Sequence, residues 1–384
     1  MKLNDVLKTI RKSTGSETID ESSYAKVTEF IDSGSFAINR VLTGDIHKGF
    51  PVGRISTLFG LSQSGKSLIA AHAVMNALKN NQVDVVYIFD SEGGTLVDFF
   101  KKEGVDLKKI NHIPVASIEQ CSVKMLQVYD ELVKARQEYL DDPENNDNIR
   151  ALCVLDSYGA LAADKLVNDA VNKDKTAMDM GLGAKLKNNM MRGLMMRVVM
   201  SNATLLVINH AYQDPGAMFA SKIQNMAGGK GIEFASHVIL QCEKVFVKST
   251  DTEFLTGLES SNDNVGFYKG NKLKFFTVKN RICKPMFTAQ VYLDFTTGIS
   301  KYDGLIEDAV KLGFLQEVRG GYICDSYKQQ TRITYKELVK NDKIWDTFLE
   351  KFNDKSKEIM EYSNSTSREL DKIEDEINNE EDED

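Results

Sequence analysis

The run RISTLFGLSQSGKSLIAAHAVMNAL, residues 54–78, limits the possible folds more than any other stretch. An apolar strand pattern meets Gly60, then Gly65-Lys66-Ser67, and a helical pattern begins at once. Gly60-Leu61-Ser62-Gln63-Ser64-Gly65-Lys66-Ser67 fits the spacing G-x-x-x-x-G-K-[ST]. Two glycines at that spacing let the backbone curl until successive N–H groups face one centre, and the following helix adds its positive end. Such a turn predicts a bound phosphate chain, with Lys66 on the β- and γ-phosphates and the Ser67 hydroxyl on Mg²⁺. Taken alone, it serves a kinase, a GTPase or an ATPase equally well.

The rhythm around this turn predicts an α/β fold. Strand patterns fall at 54–59, 83–90, 151–156, 203–209, 237–245, 272–280 and 287–295. The first four are nearly continuous in Val, Ile and Leu, as strands covered on both faces must be. Helical stretches at 67–80, 118–140 and 181–201 separate them, which implies a mostly parallel sheet with right-handed crossovers. The last two strand patterns lie close together and predict an antiparallel edge. Residues 304–316 read as a helix that opens a small mixed lobe running to about 362. Residues 210–232, with Pro and several Gly, form a long connection of the kind that carries function inside a compact domain.

Three strand ends add chemistry. ALCVLDS (151–157) ends in Asp156, either the second magnesium contact or a cap for the next helix. VVYIFDSEGG (85–94) ends in Asp90-Ser91-Glu92, where open α/β sheets bind ligands. Glu92 is a candidate base for the attacking water, or else a surface glutamate. The fourth strand ends in Asn209-His210, a polar pair that either touches the γ-phosphate or simply packs.

Composition excludes several classes. With 384 residues, 42% hydrophobic and 27% charged, the chain has globular composition, and no apolar run reaches the ~18–20 residues of a membrane helix. The amphipathic first residues lack the apolar centre of a secretory signal. Cys121, Cys153, Cys242, Cys283 and Cys324 lie far apart without a CxxC pair, which fits a reducing, cytoplasmic setting and neither a disulfide frame nor a zinc site. The net charge of −8 is uneven: residues 369–384 hold ten acids and one lysine, leaving 47 basic and 46 acidic residues elsewhere. The body is therefore almost neutral. The tail is either a solvated end or a polyanion that competes with DNA for a basic groove.

At this point the chain resembles a known family: the RecA-type homologous-recombination ATPases, and among them the UvsX-type recombinases of large tailed bacteriophages. The similarity runs over about residues 33–325. It includes GSFAINRVLTGDIHKGFPVGRI, FDSE, VLDS, LLVINH, GAMF with AGGKGIEFAS, FTVKNRICKP and DGLIEDAVKLGF, in that order. The resemblance implies a RecA-like P-loop ATPase core, with an N-terminal oligomerisation segment at 1–35 and the core at 36–300. A C-terminal α/β lobe at 301–362 and a disordered acidic tail at 363–384 complete it. ATP and Mg²⁺ are the implied cofactors.

The resemblance also assigns roles. Glu92 falls at the catalytic glutamate, Phe99 at the adenine-stacking aromatic, and His210 at the γ-phosphate sensor, where the phage type has histidine. Lys279 and Arg281 match cations that reach ATP on the neighbouring subunit. About 166–180 and 210–232 match the two DNA-binding loops. Lys185, Tyr212, Met218, Phe219 and Lys222 are the implied DNA contacts. The implied partners are single-stranded DNA, double-stranded DNA, further copies in a helical filament, a single-stranded-DNA-binding protein and a loading mediator, with no membrane. In a phage, the compartment is the bacterial host cytoplasm. The expected function is an ATP-dependent recombinase that pairs homologous DNA and exchanges strands. A RecA-fold ATPase without strand exchange (a recombination mediator or ring-forming motor), a metabolic kinase and a non-catalytic scaffold are the alternatives.

Overall fold

The computed structural model describes residues 3–22, 24–94, 97–166, 180–212, 223–245, 270–294, 298–327 and 331–362. Its centre is a ten-stranded sheet. Ahead of it come α1 (Leu3–Thr14), β1 (Phe30–Ile31), α2 (Phe36–Thr43) and β2 (Phe50–Pro51), with β1 and β2 forming their own small pair. The parallel part of the large sheet uses β3 (Ile55–Gly60), β4 (Val85–Asp90), β5 (Ile110–Pro114), β6 (Ala151–Asp156), β7 (Thr204–Tyr212) and, after the short β8 (Asn225–Met226), β9 (Val238–Val245). β10 (Gly270–Asn280), β11 (Thr288–Asp294) and β12 (Gly298–Ile299) continue it antiparallel. The order across the sheet is β12-β11-β10-β9-β3-β7-β6-β4-β5, with β8 attached to β7.

Strand alternation divides the core into two layers, because successive side chains face opposite sides of a sheet. Leu58, Leu152, Val154, Leu206 and Ile208 face one cluster; Phe59, Cys153, Leu155, Leu205 and Val207 face the other. The first layer is covered by α2, α3 (Lys66–Lys79) and α4 (Val97–Lys102). The second is covered by α5 (Ile118–Asp141), α6 (Met180–Ser201) and α7 (Gly231–Ala235). Each Ile, Leu or Val sealed in these layers contributes roughly 1.5–3 kcal/mol relative to exposure. All five cysteines are buried, packed as small apolar groups.

The C-terminal piece is a small α/β lobe. It holds α8 (Ile306–Lys311), the hairpin of β13 (Gln316–Val318) and β14 (Gly321–Ile323), then α9 (Tyr335–Leu338), α10 (Asp342–Trp345) and α11 (Leu349–Met360). The helix expected over 304–316 is shorter, because Gly313 takes a left-handed φ of 79° and turns the chain out. The lobe shares one hydrophobic cluster with the first layer and is pinned to α2 by Arg40, which bonds Asp308 at 2.6 Å and Ser356 at 2.7 Å. By contrast, α1 has no buried residue; Leu3, Leu7 and Ile10 are exposed at helical spacing. Among the described residues, no helix is long and apolar enough to cross a membrane.

Candidate nucleotide site and cationic groove

Four parallel strands deliver their last residues to one edge of the sheet. Gly60 lies level with His210, and Asp90 with Asp156. The phosphate turn is built by steric exclusion. A Cβ at Gly60 would sit 2.0 Å from the Cys242 carbonyl oxygen, and one at Gly65, where φ is +87°, 2.5 Å from Leu273 Cδ1. Neither position admits a side chain. Lys66 caps its own loop: Nζ donates to the Leu61 carbonyl at 2.7 Å and approaches Ser64 Oγ at 3.4 Å. Burial lowers the pKa of this ammonium, opposed by the nearby Asp156 and Glu92.

Glu92 is held by an arrangement that spans three strands. Asp90 accepts from the amides of Glu92 at 2.9 Å and Gly93 at 2.7 Å, fixing the turn that carries the glutamate. Ser91 stitches this turn to β6 through both the amide and the carbonyl of Ser157. The Ser157 hydroxyl donates to Glu92 Oε1 at 2.5 Å, and His210 Nε2 lies 2.7 Å from the same oxygen and 3.0 Å from the hydroxyl. Burial by itself would raise the Glu92 carboxyl. The bonds from Ser157 and His210, with the charges of His210 and Lys66, outweigh burial and hold it below its ordinary value. Glu92 is thus an ionised acceptor over the neutral range.

Asp156 behaves oppositely. Burial raises its carboxyl, and Glu92 and Asp90 add repulsion, against a hydrogen bond from Ser67 and the charge of Lys66. A carboxylate destabilised in this way, bonded to a hydroxyl, suits a divalent cation. Among the described residues no three acidic, His or Cys side chains form a metal cage. The donor set therefore fits Mg²⁺ on Ser67 and Asp156 with phosphate and water oxygens completing its shell. Phe99 lies beside α3, its ring 5.1 Å from His72 and 5.7 Å from Phe100, half-buried.

β7 continues into the second long connection. Asn209, fully buried, donates to the Ala227 carbonyl at 2.9 Å, and the Ala227 amide donates to the His210 carbonyl at 2.9 Å. β8 then pairs with β7 through Ala211 and Tyr212, the latter half-exposed. Beyond β8 the chain passes Gly228 and Gly229 and borders a groove against α6. Lys185, Asn188, Arg192 and Lys230 line it. The first three recur at helical spacing, so one face of α6 presents two cations and an amide. Met218, Phe219 and Lys222, and residues 167–179 of the first expected DNA loop, lie outside the described residues.

Lys279 and Arg281 do not join the phosphate cluster of their own chain. β10 runs against β9, so Lys279 pairs with Ile239, level with Thr57, and the Arg281 amide bonds the His237 carbonyl, level with Ile55. Those levels fall about 10 and 17 Å down the strand from Gly60, at ~3.3 Å per residue. Lys279 Nζ rests on the carbonyls of Glu233 at 2.5 Å and Phe234 at 3.4 Å. The Arg281 side chain is exposed, with no side-chain hydrogen bond or ion pair among the described residues. The imidazole of His237 is pushed down to about 4, by burial first and then by Arg54, Arg281 and Lys279. Arg54, Lys279 and Arg281 thus gather positive charge at this edge, with the Glu233 carboxylate acting on Lys279.

Sequence reasoning missed Ser157, Asp90 as an amide acceptor, and the Asn188, Arg192 and Lys230 side of the groove. Ser157 stood next to Asp156 in VLDS, and the spacing of 185, 188 and 192 was visible on a helix; the partnership with Lys230 needs the fold.

A strand–turn–helix phosphate site, a glutamate after β4 and a histidine on β7 meeting across β6, and antiparallel strands at one edge define a RecA-like ATPase core. The family described as the RecA N-terminal domain matches residues 1–300, and the chain belongs to it. Relatives agree along most of their length. Protein RecA of Chlorobaculum tepidum is 27% identical over 345 residues, 88% of each chain. Protein RecA of Mycoplasma mobile is 27% identical over 354 residues, covering 91% of this chain and 95% of that one. The recombination and repair protein of Enterobacteria phage T4 is 26% identical over 308 residues, 80% of this chain and 69% of its own. The chain is a RecA-family recombinase.

Proposed function

We propose that this protein hydrolyses ATP while polymerising head to tail on single-stranded DNA, and that the filament pairs this strand with a homologous duplex and exchanges strands. One observation carries the reading: the Glu92–Ser157–His210 cluster is bonded, through Asn209 and Ala227, to the end of the connection that borders the cationic groove. A phosphate site wired to a groove of this charge suits a motor whose grip on a polyanion follows its nucleotide.

The residues divide the work. Gly60 to Gly65 present amides to the phosphates, and Lys66 turns from the Leu61 carbonyl to the β- and γ-phosphates. Ser67 and Asp156 would hold Mg²⁺, which would supply positive charge to the phosphates. Glu92, kept ionised, orients the attacking water. His210 exchanges its bond to Glu92 for one to the γ-phosphate, which frees the glutamate and shifts β7. Phe99 stacks on adenine. Lys279 and Arg281 meet the γ-phosphate of the neighbouring protomer, since both lie too far down the sheet for their own. ATP is then a joint between copies, and such a contact, which does not close on itself, builds a helix.

The 1–35 segment packs on a neighbour, supported by the unburied apolar face of α1. Lys185, Tyr212, Lys230 and the 210–232 connection, with Met218, Phe219 and Lys222, grip the DNA backbone, so base pairing rather than side chains reads sequence. The tail at 363–384 competes for duplex DNA; a single-stranded-DNA-binding protein and a loading mediator regulate assembly. A RecA-fold ATPase without strand exchange is not favoured by the RecA and recombination relatives. The test is turnover with and without single-stranded DNA, followed by negative-stain imaging with a non-hydrolysable ATP analogue. DNA-stimulated turnover and helical filaments are expected; closed rings or DNA-indifferent turnover overturn the reading.

A further inference from the structure

Lys187 has no part in the site described so far. It lies on α6, two residues beyond Lys185, but is only 6% exposed. Its Nζ donates to the Gly159 carbonyl at 3.2 Å and stands 5.2 Å over the Tyr158 ring. It has no ion pair among the described residues. Burying a lysine ammonium on one carbonyl and one ring is costly, and a neutral side chain of equal length would fill the same space at lower cost. Burial brings its pKa down to about 8, so it still carries its charge near neutrality.

The surroundings give that charge a purpose. On one side, Tyr158 and Gly159 directly follow Ser157, whose hydroxyl holds Glu92 and His210. Gly159 presses on the sensor so closely that a Cβ there would lie 2.8 Å from His210 Cδ2. On the other side, Gly228 at the end of the second connection is wedged between the same two groups. With φ at +88°, its Cβ would lie 2.5 Å from Tyr158 Cε1 and 3.1 Å from Lys187 Cδ. The stem of Lys187 touches the segment bordering the groove, and its ammonium holds the turn that carries Ser157.

We propose that Lys187 is a positioning residue that ties the 157–159 turn to Gly228, giving the DNA groove a second route to Glu92 besides Asn209 and Ala227. When DNA draws the 228–230 segment toward the groove, Gly228 bears on the Tyr158 ring and the Lys187 stem. The ammonium transmits this to the Gly159 carbonyl, and Ser157 shifts against Glu92. Lys187 acts on Glu92 only through Ser157. The proposal rests on the ATP and DNA roles given above.

The test compares full-length wild type, Lys187→Met and Lys187→Arg. Met keeps the stem and removes the charge; Arg keeps a donor for Gly159 and a cation over Tyr158. Turnover with saturating single-stranded DNA, the KM for ATP and the affinity for an ATP analogue are measured on each. Lys187→Met is expected to lower DNA-stimulated kcat about tenfold, equivalent to ~1.4 kcal/mol, with KM and analogue affinity within about twofold. Lys187→Arg is expected to recover most of the loss. An unchanged kcat in Lys187→Met overturns the proposal. So does a fall in analogue affinity parallel to kcat, which makes Lys187 a scaffold residue, or a failure of Lys187→Arg to recover activity. A wild type that DNA does not stimulate refutes the recombinase reading itself, a separate outcome from these.

Discussion

The two ends of the parallel sheet carry similar charged residues in opposite circumstances. At the end holding Gly60, each charged group has an internal partner: Lys66 bonds its own loop, Glu92 bonds Ser157 and His210, and Asp90 accepts two amides. At the end holding Ile55, Arg54, Lys279 and Arg281 gather around His237; carbonyls take Arg54 and Lys279, the Glu233 carboxylate acts on Lys279, and the Arg281 side chain has no hydrogen bond among the described residues. The first end is internally partnered throughout these groups. On the proposed reading the second is half a site, whose cations serve a nucleotide on the neighbouring copy. The difference teaches why the proposed chemistry needs two copies rather than one.

Breaking the partnered end should have the larger effect. Lys66→Ala removes the cation that the phosphate turn itself supplies, and DNA-stimulated turnover is expected to fall more than about 100-fold. Turnover within about threefold of wild type would mean the phosphates bind elsewhere. Breaking the half site should separate two properties. Lys279→Ala combined with Arg281→Ala is expected to lower DNA-stimulated turnover about 30-fold, while dilute protomers bind an ATP analogue within about threefold of wild type. Equal losses in both would place the cations on their own chain's nucleotide.

A finer contrast concerns Glu92. Ser157 makes the strongest of the contacts that hold this carboxyl below its ordinary value. In the wild type the ionised base therefore persists as pH falls through the usual glutamate range and is lost only below it. Ser157→Ala releases that hold, so the acid limb of the pH–rate profile is expected to move to higher pH. A limb that stays in place would remove Glu92 from the titration that limits turnover. The smallest effect is expected in the groove. Lys185→Ala should reduce the slope of log affinity for single-stranded DNA against log salt by about 0.7, one phosphate contact. An unchanged slope would take Lys185 out of the interface.

Much of this was legible in the chain because it is local. The phosphate turn needs only its glycines, a strand before it and a helix after it, and the strand Ile55–Gly60 and the helix Lys66–Lys79 flank it in that order. Asp156, Glu92 and His210 were legible as polar ends of apolar strands. Other elements gave weaker signals. β5 carries Asn, His and Pro and lies at the sheet edge, where three of its five residues are exposed, so its pattern lacks the apolar continuity of its neighbours. α2 had its signals, Ser35 as N-cap and Gly44 as a left-handed stop, but only eight residues in between. Long-range meetings left no mark in one dimension. Nothing near Lys187 announces Gly159 or Gly228, and nothing in VKNR shows that β10 runs the cations away from Gly60. That distance depends on β10 pairing antiparallel with β9, a partnership the strand pattern left open.

The central claim is that each ATP is held by two copies, and mixing defective proteins tests it most directly. Lys66→Ala protomers keep Lys279 and Arg281 but lack a working phosphate turn; the Lys279→Ala, Arg281→Ala protomers keep the turn but lack the cations. Combined on single-stranded DNA, the two form junctions that unite an intact turn with intact cations from its neighbour. Turnover of the mixture well above the sum of the separate proteins is the result this account predicts. Turnover equal to that sum at every mixing ratio, with both proteins bound to the DNA, would contradict it.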